Sequence, residues 1–227
     1  HVFPQRLWSS RFTQTHREAV WRSFQSDKER QEAEAWCDTC EQTVFLYDCL
    51  DVSIAISFNF VDKPGNYTVI GQLEHNAKHV QDAGAIQEII NHLTKRFQFF
   101  DILKHADFVC GVPKHQGKGF HLPEELARGV ATSLQKTDIT PFLMFGKTKP
   151  SLKNLSYHSK WDALENSGIT FLPQKPDLTN SKIILIDDKY QSGVTIQFVA
   201  SKLQEQGAKE VYGLCAVKTW SDDDNQI

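Results

Sequence analysis

The stretch IILIDDKYQSGVT, residues 183–195, decides how the rest of the sequence is interpreted. Its four consecutive aliphatic residues are typical of a strand that is buried on both faces. Two adjacent aspartates follow, and a small-residue loop then leads into a helical pattern from about Val194. This order predicts that Asp187 and Asp188 lie at the carboxyl edge of a parallel sheet, where open α/β folds bind their ligands.

The chain around this stretch alternates between short apolar runs and amphipathic segments. Helical spacing occurs at 85–100, 123–136, 157–168 and 194–208, and strand-like runs occur at 107–113, 140–146, 183–187 and 211–218. Strands that alternate with helices are typical of parallel sheets covered by helices. We therefore predict an α/β fold with an open, mostly parallel sheet and helices on both faces.

The residues before position 71 follow a different pattern. The charged stretch 13–36 has helical spacing, and 43–60 is rich in β-branched and aromatic residues, as in a pair of hairpin strands. A further strand is predicted at 67–73. We therefore expect two parts: a small N-terminal α+β lobe over residues 1–70, with helix and β-hairpin, and a main domain over residues 71–227.

Composition excludes some classes of protein. The 227 residues carry a net charge of -3 and a pI of about 6.3, which gives no general attraction to nucleic acid or acidic membranes. No apolar run approaches the roughly 18 residues of a membrane span, so no membrane partner is expected. The odd number of cysteines, five, indicates a reducing compartment and predicts a cytoplasmic protein.

The loop after the acidic pair has the chemistry of a phosphate site. Ser192 and Thr195 carry hydroxyl donors, and a helix that starts after Gly193 offers free backbone N–H groups and the positive end of its dipole. Neighbouring carboxylates suit a vicinal diol, so the combination describes a ribose 5-phosphate. The alternative interpretation is an ordinary strand–turn–helix with a polar turn.

The same stretch resembles the phosphoribosyl pyrophosphate (PRPP) signature of type I phosphoribosyltransferases. That signature has four hydrophobic residues, two acids and a Ser/Thr-Gly-x-Thr loop. Here Gln191-Ser192 stand where two threonines are commonest, and Lys189-Tyr190 replace an apolar pair. The resemblance implies that Asp187 and Asp188 anchor the ribose diol and Mg²⁺ as catalytic residues. It implies that the phosphate is bound by Lys189, Tyr190, Gln191, Ser192, Gly193, Val194 and Thr195.

Three further segments, 73–89, 111–131 and 147–164, resemble segments of ComF-type competence proteins within that class. The resemblance implies a pyrophosphate-binding loop with Pro113, Lys114, His115, Gly117, Lys118 and Gly119. It also implies a mobile loop that closes over the site with Lys147, Lys149 and Lys153. The alternative for both loops is a solvated basic segment, since lysines are mostly surface residues. We also expect His115 and His121 to contact phosphate or base.

The expected activity is Mg²⁺-dependent transfer or hydrolysis of the phosphoribosyl group, with release of pyrophosphate. The ligand is then PRPP or a nucleotide 5-phosphate, and the sequence indicates neither the acceptor base nor the oligomeric state. A second hypothesis is a catalytically weak sensor of PRPP or nucleotides, or a single-stranded-DNA-binding protein in DNA uptake or phage defence. ComF-like proteins are linked with DNA uptake, which motivates the second hypothesis.

The N-terminal cysteines allow two interpretations. ComF-like proteins carry an N-terminal zinc ribbon, and Cys37, Cys40 and Cys49 resemble part of one. Structural zinc takes four ligands, so His16 or a residue outside the sequence would have to complete a Zn²⁺ site. The other interpretation is that all three are plain reduced cysteines.

Overall fold

The computed structural model describes residues 13–14, 20–21, 23–115, 117, 119–146, 152 and 155–220. The strands are β1 (Thr13–Gln14), β2 (Val20–Trp21), β3 (Val44–Leu46), β4 (Val52–Phe58), β5 (Phe108–Gly111), β6 (Thr137–Asp138), β7 (Leu143–Phe145), β8 (Ile169–Phe171), β9 (Lys182–Tyr190) and β10 (Glu210–Lys218). The α-helices are α1 (Asp27–Glu41), α2 (Val69–His79), α3 (Ala83–Phe99), α4 (Asp101–Lys104), α5 (Leu122–Leu134), α6 (Tyr157–Ser167) and α7 (Val194–Glu205). A 3₁₀ turn covers Thr140–Phe142. None of these helices has the length and apolar character needed to cross a membrane.

Six of these strands form one sheet in the order β3–β4–β10–β9–β5–β6. Only β3 runs antiparallel to its neighbour, and the other five strands are parallel. Strand β9 lies inside the sheet, with Ile186 paired to Leu214 of β10 and to Gly111 of β5. The two shorter pairs, β1–β2 and β7–β8, are antiparallel and separate from this sheet.

Helices cover both faces of the sheet, which confirms the predicted fold class. Ile184 and Ile186 of β9 pack in one core cluster with residues of α2, α3, α4 and α5. Ile183 and Leu185 pack in a second cluster, on the opposite face, with residues of α6 and α7. Side chains alternate between the faces of a strand, so a strand covered on both sides is apolar at every position. This explains the uninterrupted run that precedes the aspartates.

The prediction of a separate lobe over residues 1–70 is wrong for its strands. Strands β3 and β4 form the expected antiparallel pair, but β4 also pairs in parallel with β10, where Ile54 is opposite Leu214. The main sheet therefore crosses the predicted boundary between residues 70 and 71. A hairpin pattern reveals pairing between neighbouring strands, whereas the partner of β4 lies near the other end of the sequence.

The third strand predicted at 67–73 is also wrong, because α2 begins there. The hydroxyl of Thr68 accepts a hydrogen bond from the N–H of Gly71 and caps the helix. Gly71 lies against the backbone of Asn59, where a side chain would collide with the carbonyl oxygen. The buried positions Ile70, Glu74 and Ala77 follow helical spacing, and one of them is a carboxylate.

The connections between strands create a crevice at the carboxyl edge. From β5 the chain passes through α5 to β6, towards one edge of the sheet, and from β9 it passes through α7 to β10, in the other direction. Helices α5 and α7 lie on opposite faces. The gap beyond the carboxyl ends of β5 and β9 is therefore a topological switch point, the usual ligand position in such sheets.

We expect Ile54→Ala to lower the free energy of unfolding of the whole chain by about 2–5 kcal/mol, the usual cost of an Ile-to-Ala cavity in a core. Ile54 is fully buried in the cluster that contains Ile184 and Leu214, so the loss should appear in one cooperative transition. Urea unfolding followed by circular dichroism measures it. Tyr47→Ala, at a fully exposed position, is the control, and a separate early transition in Ile54→Ala would contradict a shared core.

Candidate functional site

A cleft of about 300 Å³ lies at the switch point. Its walls come from four parts of the chain that are distant in sequence. They include Lys78 of α2, Pro113 and His121 from the segment after β5, Asp188 at the end of β9, and Thr195 in the first turn of α7. The structure thus brings together the segments that the sequence analysis selected separately.

The two aspartates are separated by the alternation of their strand. Asp188 is only 7% exposed and lies on the same face as Ile186, where its Oδ2 is 2.7 Å from Nζ of Lys78. Asp187 alternates to the other face, and its Oδ1 accepts a hydrogen bond from the backbone N–H of Asp188 at 2.9 Å. Both residues still line the cleft, because it opens at the end of the sheet. The repulsion between the two carboxylates is reduced because they point to opposite faces of the strand and because Lys78 pairs with Asp188.

A chain of alternating charges ties α2 to the end of β9. Glu74 is 1% exposed and lies between two lysines, with Oε1 at 3.7 Å from Nζ of Lys78 and Oε2 at 3.0 Å from Nζ of Lys189. The order is Asp188, Lys78, Glu74 and Lys189, so every charge has an opposite neighbour. Buried charges are stable only when they are paired in this way.

This network fixes the protonation states at the base of the cleft. Burial disfavours the charged form of Asp188, but Lys78, His121 and Lys189 outweigh it and hold the pKa of Asp188 below its ordinary value. Burial likewise disfavours the charge on Lys78, but Asp188 and Glu74 outweigh it and raise the pKa of Lys78. The pair is therefore an aspartate and an ammonium at neutral pH.

The first turn of α7 depends on Gly193. This residue has φ +73°, and a side chain there would collide with the ring and hydroxyl of Tyr190. Tyr190 is 6% exposed, and its hydroxyl donates a hydrogen bond to the carboxylate of Asp48. No side chain caps α7, and the positive end of its helix dipole lies at this first turn.

The predicted phosphate loop divides into two groups. Lys189, Gln191 and Thr195 line the cleft. Tyr190, Gly193 and Val194 are buried and support the turn, and Ser192 is partly exposed outside the lining of the cleft. The hydroxyl of Tyr190 interacts with Asp48, and a contact between Tyr190 and phosphate stays a prediction.

The predicted pyrophosphate loop is divided in a similar way. Pro113 and His115 line the cleft, whereas Nζ of Lys114 pairs with Oε2 of Glu124 at 2.9 Å and lies in a different cleft of about 320 Å³. The Lys114 side chain therefore faces away from the predicted ligand. Gly117 and Gly119 are exposed, with open space where a side chain would begin. Predictions for Lys118, Lys147, Lys149 and Lys153 concern residues outside the described part of the chain.

The three cysteines predicted to share zinc do not meet. Cys37 and Cys40 lie on α1, and Cys40 packs against the core cluster that contains α3, where burial and Cys37 raise its pKa to about 11. Cys49 lies on the other side of the sheet, where its backbone N–H donates a hydrogen bond to Oε1 of Gln197 on α7 at 3.4 Å. Among the described residues, no three His, Cys, Asp or Glu side chains come together as a metal site. Zinc bound by Cys37, Cys40 and His16 stays a prediction, because His16 is not described.

Sequence reasoning missed two carboxylates that organise the site. Glu74 follows directly after the strand predicted at 67–73 and received no role, although its spacing of four residues from Lys78 is a usable signal for a helical ion pair. Asp48 had no such signal, because its partners Ser53 and Tyr190 are brought to it by the fold. Burial raises the pKa of Asp48, while hydrogen bonds from Leu50, Ser53 and Tyr190 act against this rise.

Comparison with known proteins gives similar structures only. No protein-family model and no curated protein matches the chain. A purine phosphoribosyltransferase from Pyrococcus horikoshii Ot3 is 17% identical, with 57% of this chain and 70% of that chain covered and a TM-score of 0.37. A phosphoribosylpyrophosphate synthetase from Mycobacterium smegmatis is 18% identical, with 62% of this chain and 35% of that chain covered and a TM-score of 0.36. A hypothetical protein from Neisseria gonorrhoeae with bound ppGpp is 14% identical, with 64% of this chain and 73% of that chain covered and a TM-score of 0.38.

We expect Lys78→Met to lower the free energy of unfolding by about 1–3 kcal/mol at neutral pH, because it leaves the buried charge of Asp188 without its partner. The partial exposure of Lys78, 37%, keeps the loss below that of a fully buried pair. The pKa of Asp188 is depressed in the folded state, so the contribution of the pair is present above the ordinary aspartate pKa and is lost as the pH falls through the folded value.

Urea unfolding of wild type and Lys78→Met across the acidic range measures this difference. The difference in free energy of unfolding should be largest at neutral pH and should decrease as Asp188 becomes protonated. The double variant Lys78→Met/Asp188→Asn is the control, and it should recover part of the lost stability. A difference that does not change with pH would show that packing of the Lys78 stem, and not its charge, is what matters.

We expect Gly193→Ala to lower the free energy of unfolding by about 2–4 kcal/mol. Part of this loss comes from backbone strain in a left-handed residue, and the rest comes from a collision with buried Tyr190. The double variant Gly193→Ala/Tyr190→Phe removes the hydroxyl of Tyr190. It should recover only the part of the lost stability that is due to the collision with that oxygen. Gly65→Ala, which has φ +94° but open space, is the matched control for backbone strain alone. Equal losses in Gly193→Ala and Gly65→Ala would contradict the collision.

Proposed function

We propose that this protein binds PRPP together with Mg²⁺ in the cleft beyond β5 and β9 and acts as a phosphoribosyltransferase-like protein. It would transfer or hydrolyse the 5-phosphoribosyl group and release pyrophosphate. One observation carries the proposal: the acid pair Asp187–Asp188, an uncapped helix start at Gly193 and the segment after β5 line or border one cleft at a topological switch point.

The 5-phosphate would bind at the start of α7. Backbone N–H groups of the first turn and the hydroxyl of Thr195 are donors of the kind that bind phosphate dianions. Gln191 adds an amide donor at the same wall of the cleft. Lys189 supplies positive potential from its position beside Glu74 without a direct contact being required.

The ribose diol would bind at the acid pair. The carboxylate of Asp187 lines the cleft beside that of Asp188, which is held by Lys78. Mg²⁺ commonly uses one or two carboxylates together with substrate phosphates and waters, so these two residues fit a cation that arrives with its substrate. When bound, Mg²⁺ would neutralise charge on the departing pyrophosphate. Lys78 keeps Asp188 ionised and fixed in one orientation throughout.

The reaction would break the bond between the anomeric carbon and the pyrophosphate oxygen, which leaves with the electron pair. A nitrogen of the acceptor base, or water, forms the new bond and gives up its proton to a carboxylate of the acid pair or to solvent. His115 and His121 line the same cleft and could hydrogen-bond pyrophosphate or base. The positive charge that develops on the sugar ring is stabilised by the neighbouring carboxylates, as in glycoside cleavage.

Within the class of type I phosphoribosyltransferases we propose the ComF type, on the resemblance of segments 73–89, 111–131 and 147–164. A cytoplasmic location belongs to the same proposal and rests on five cysteines without disulfides. Oligomeric state and acceptor base form no part of it.

A second candidate function is binding of PRPP or a nucleotide without turnover. Two lysines that the resemblance assigns to phosphate and pyrophosphate are paired with acids, Lys189 with Glu74 and Lys114 with Glu124. A site with fewer free cations stabilises a departing pyrophosphate less well. Binding to single-stranded DNA has weaker support, because the net charge is -3.

Calorimetric titration with PRPP, with and without Mg²⁺, tests the proposal. We expect binding that requires Mg²⁺, and a loss of at least about tenfold in Asp187→Asn, since a charge-assisted contact is worth about 1.5–3 kcal/mol. Asp162→Asn makes the same chemical change at an exposed position on α6 and should bind as wild type does. No heat with PRPP and Mg²⁺ in wild type would refute the proposal.

Release of pyrophosphate, measured with a panel of purine and pyrimidine bases and with water alone, separates the two candidates. Turnover that disappears in Asp187→Asn supports the transferase or hydrolase. Binding without turnover supports the sensor.

A further inference from the structure

A third cleft, of about 500 Å³, lies on the face of the sheet that carries α2 and α3. Its lining consists of Gln42, Ile56, Ser57, Val69, Ile70, His92, Lys95 and Arg96. None of these residues lines the cleft at Asp188. The two sites are therefore distinct, and the proposed function does not use this one.

Three basic side chains of α3 line this cleft, and none has an acidic partner. Within the described part of the chain, His92, Lys95 and Arg96 form no ion pair, although many other lysines and arginines do. The acid nearest in sequence, Glu88, lies one turn before His92 and acts on it only at a distance. The cleft therefore has an uncompensated positive charge.

Arg96 gives the strongest evidence for an anion site, because it is buried without a counterion among the residues that the structure describes. It is 8% exposed, yet its guanidinium has one hydrogen bond, from Nη2 to the carbonyl oxygen of Gln42 at 3.0 Å, and its Nε has no partner. Burial without a counterion is costly for a guanidinium, because it loses the water that hydrated it. A bound anion would supply the missing counter-charge.

The remaining walls suit the rest of an organic ligand. Ile56, Val69 and Ile70 are apolar, and Val69 is 77% exposed although it begins a helix that packs on the core. Ser57 and Gln42 contribute a hydroxyl and an amide. Val69 and Ile70 also form the first turn of α2, so the positive end of that helix dipole lies at the cleft.

We propose that this cleft is a second ligand site, which binds a small organic oxyanion, a phosphate or carboxylate carried on an apolar or aromatic body. Arg96 and Lys95 bind the anion, and Ile56, Val69 and Ile70 contact the apolar part. The volume exceeds what a bare phosphate ion needs and lies within the range of small-molecule sites.

Amide and imidazole NMR of the intact 227-residue chain tests this site separately from the cleft at Asp188. Phenyl phosphate, benzoate, inorganic phosphate and phenol are titrated up to about 10 mM, a range that covers millimolar affinity. We expect phenyl phosphate or benzoate to shift the His92 ring and the amides of Ser57, Val69 and Ile70 in a saturable way. The stronger of the two identifies the oxyanion, and phenol, which lacks the charge, should give no saturable shift.

The variant Lys95→Gln should bind about three- to fivefold more weakly, the effect expected from one partly exposed charge. Lys209→Gln makes the same change at an exposed position directly before β10 and should leave the affinity unchanged. Arg96→Gln should remove the saturable response. If that variant does not fold, Lys95→Gln still decides the matter, because Lys95 is exposed.

The proposal is overturned if no saturable shift appears at the cleft, if phenol shifts the same amides as strongly, or if Lys95→Gln and Lys209→Gln bind alike. Shifts confined to residues 191–195 would also overturn it, since they report anion binding at the start of α7 alone.

Discussion

The ion pair between Lys78 and Asp188 is the interaction on which the arrangement of the site depends. It joins α2, which begins before the predicted domain boundary at residue 71, to the end of the central strand β9. Glu74 and Lys189 extend it into a chain of alternating charges. Because these groups are mostly buried, each is stable only while its neighbours keep their charge. The network therefore fixes the position of a helix and the ionisation of an acid at once.

The pair also explains how two adjacent aspartates are tolerated at the end of a buried strand. The strand directs Asp187 and Asp188 to opposite faces, and only Asp188 is turned towards Lys78. The two residues therefore have different tasks. Asp188 holds the structure of the cleft together through Lys78, and Asp187 is the residue that we propose as an acceptor for a ligand. Directly after them, Gly193 allows the chain to turn over Tyr190 and start α7 without a side-chain cap.

Much of this could be predicted from local pattern. Burial of residues 183–186, the helix after Gly193 and the joint position of Asp187 and the segment after β5 all follow from apolar periodicity and from the geometry of parallel sheets. The strand predicted at 67–73 shows where local pattern fails. The cap at Thr68 and the packing of Gly71 on Asn59 favour a helix there instead. Tertiary contacts override local preference of this kind.

By itself, the sequence determined the class of the fold, the carboxyl edge of the sheet as the position of the candidate site, and the residue types of the acid pair and the helix start. Periodicity and turn chemistry are local properties, so they can be read from neighbouring residues. Only the tertiary structure decided that β4 joins β10, that Lys78 neutralises Asp188, that Lys114 turns towards Glu124, and that Arg96 is buried without a counterion. Each of these depends on residues far apart in the chain, and the strength of a charge interaction depends on burial, which exists only once the chain has folded.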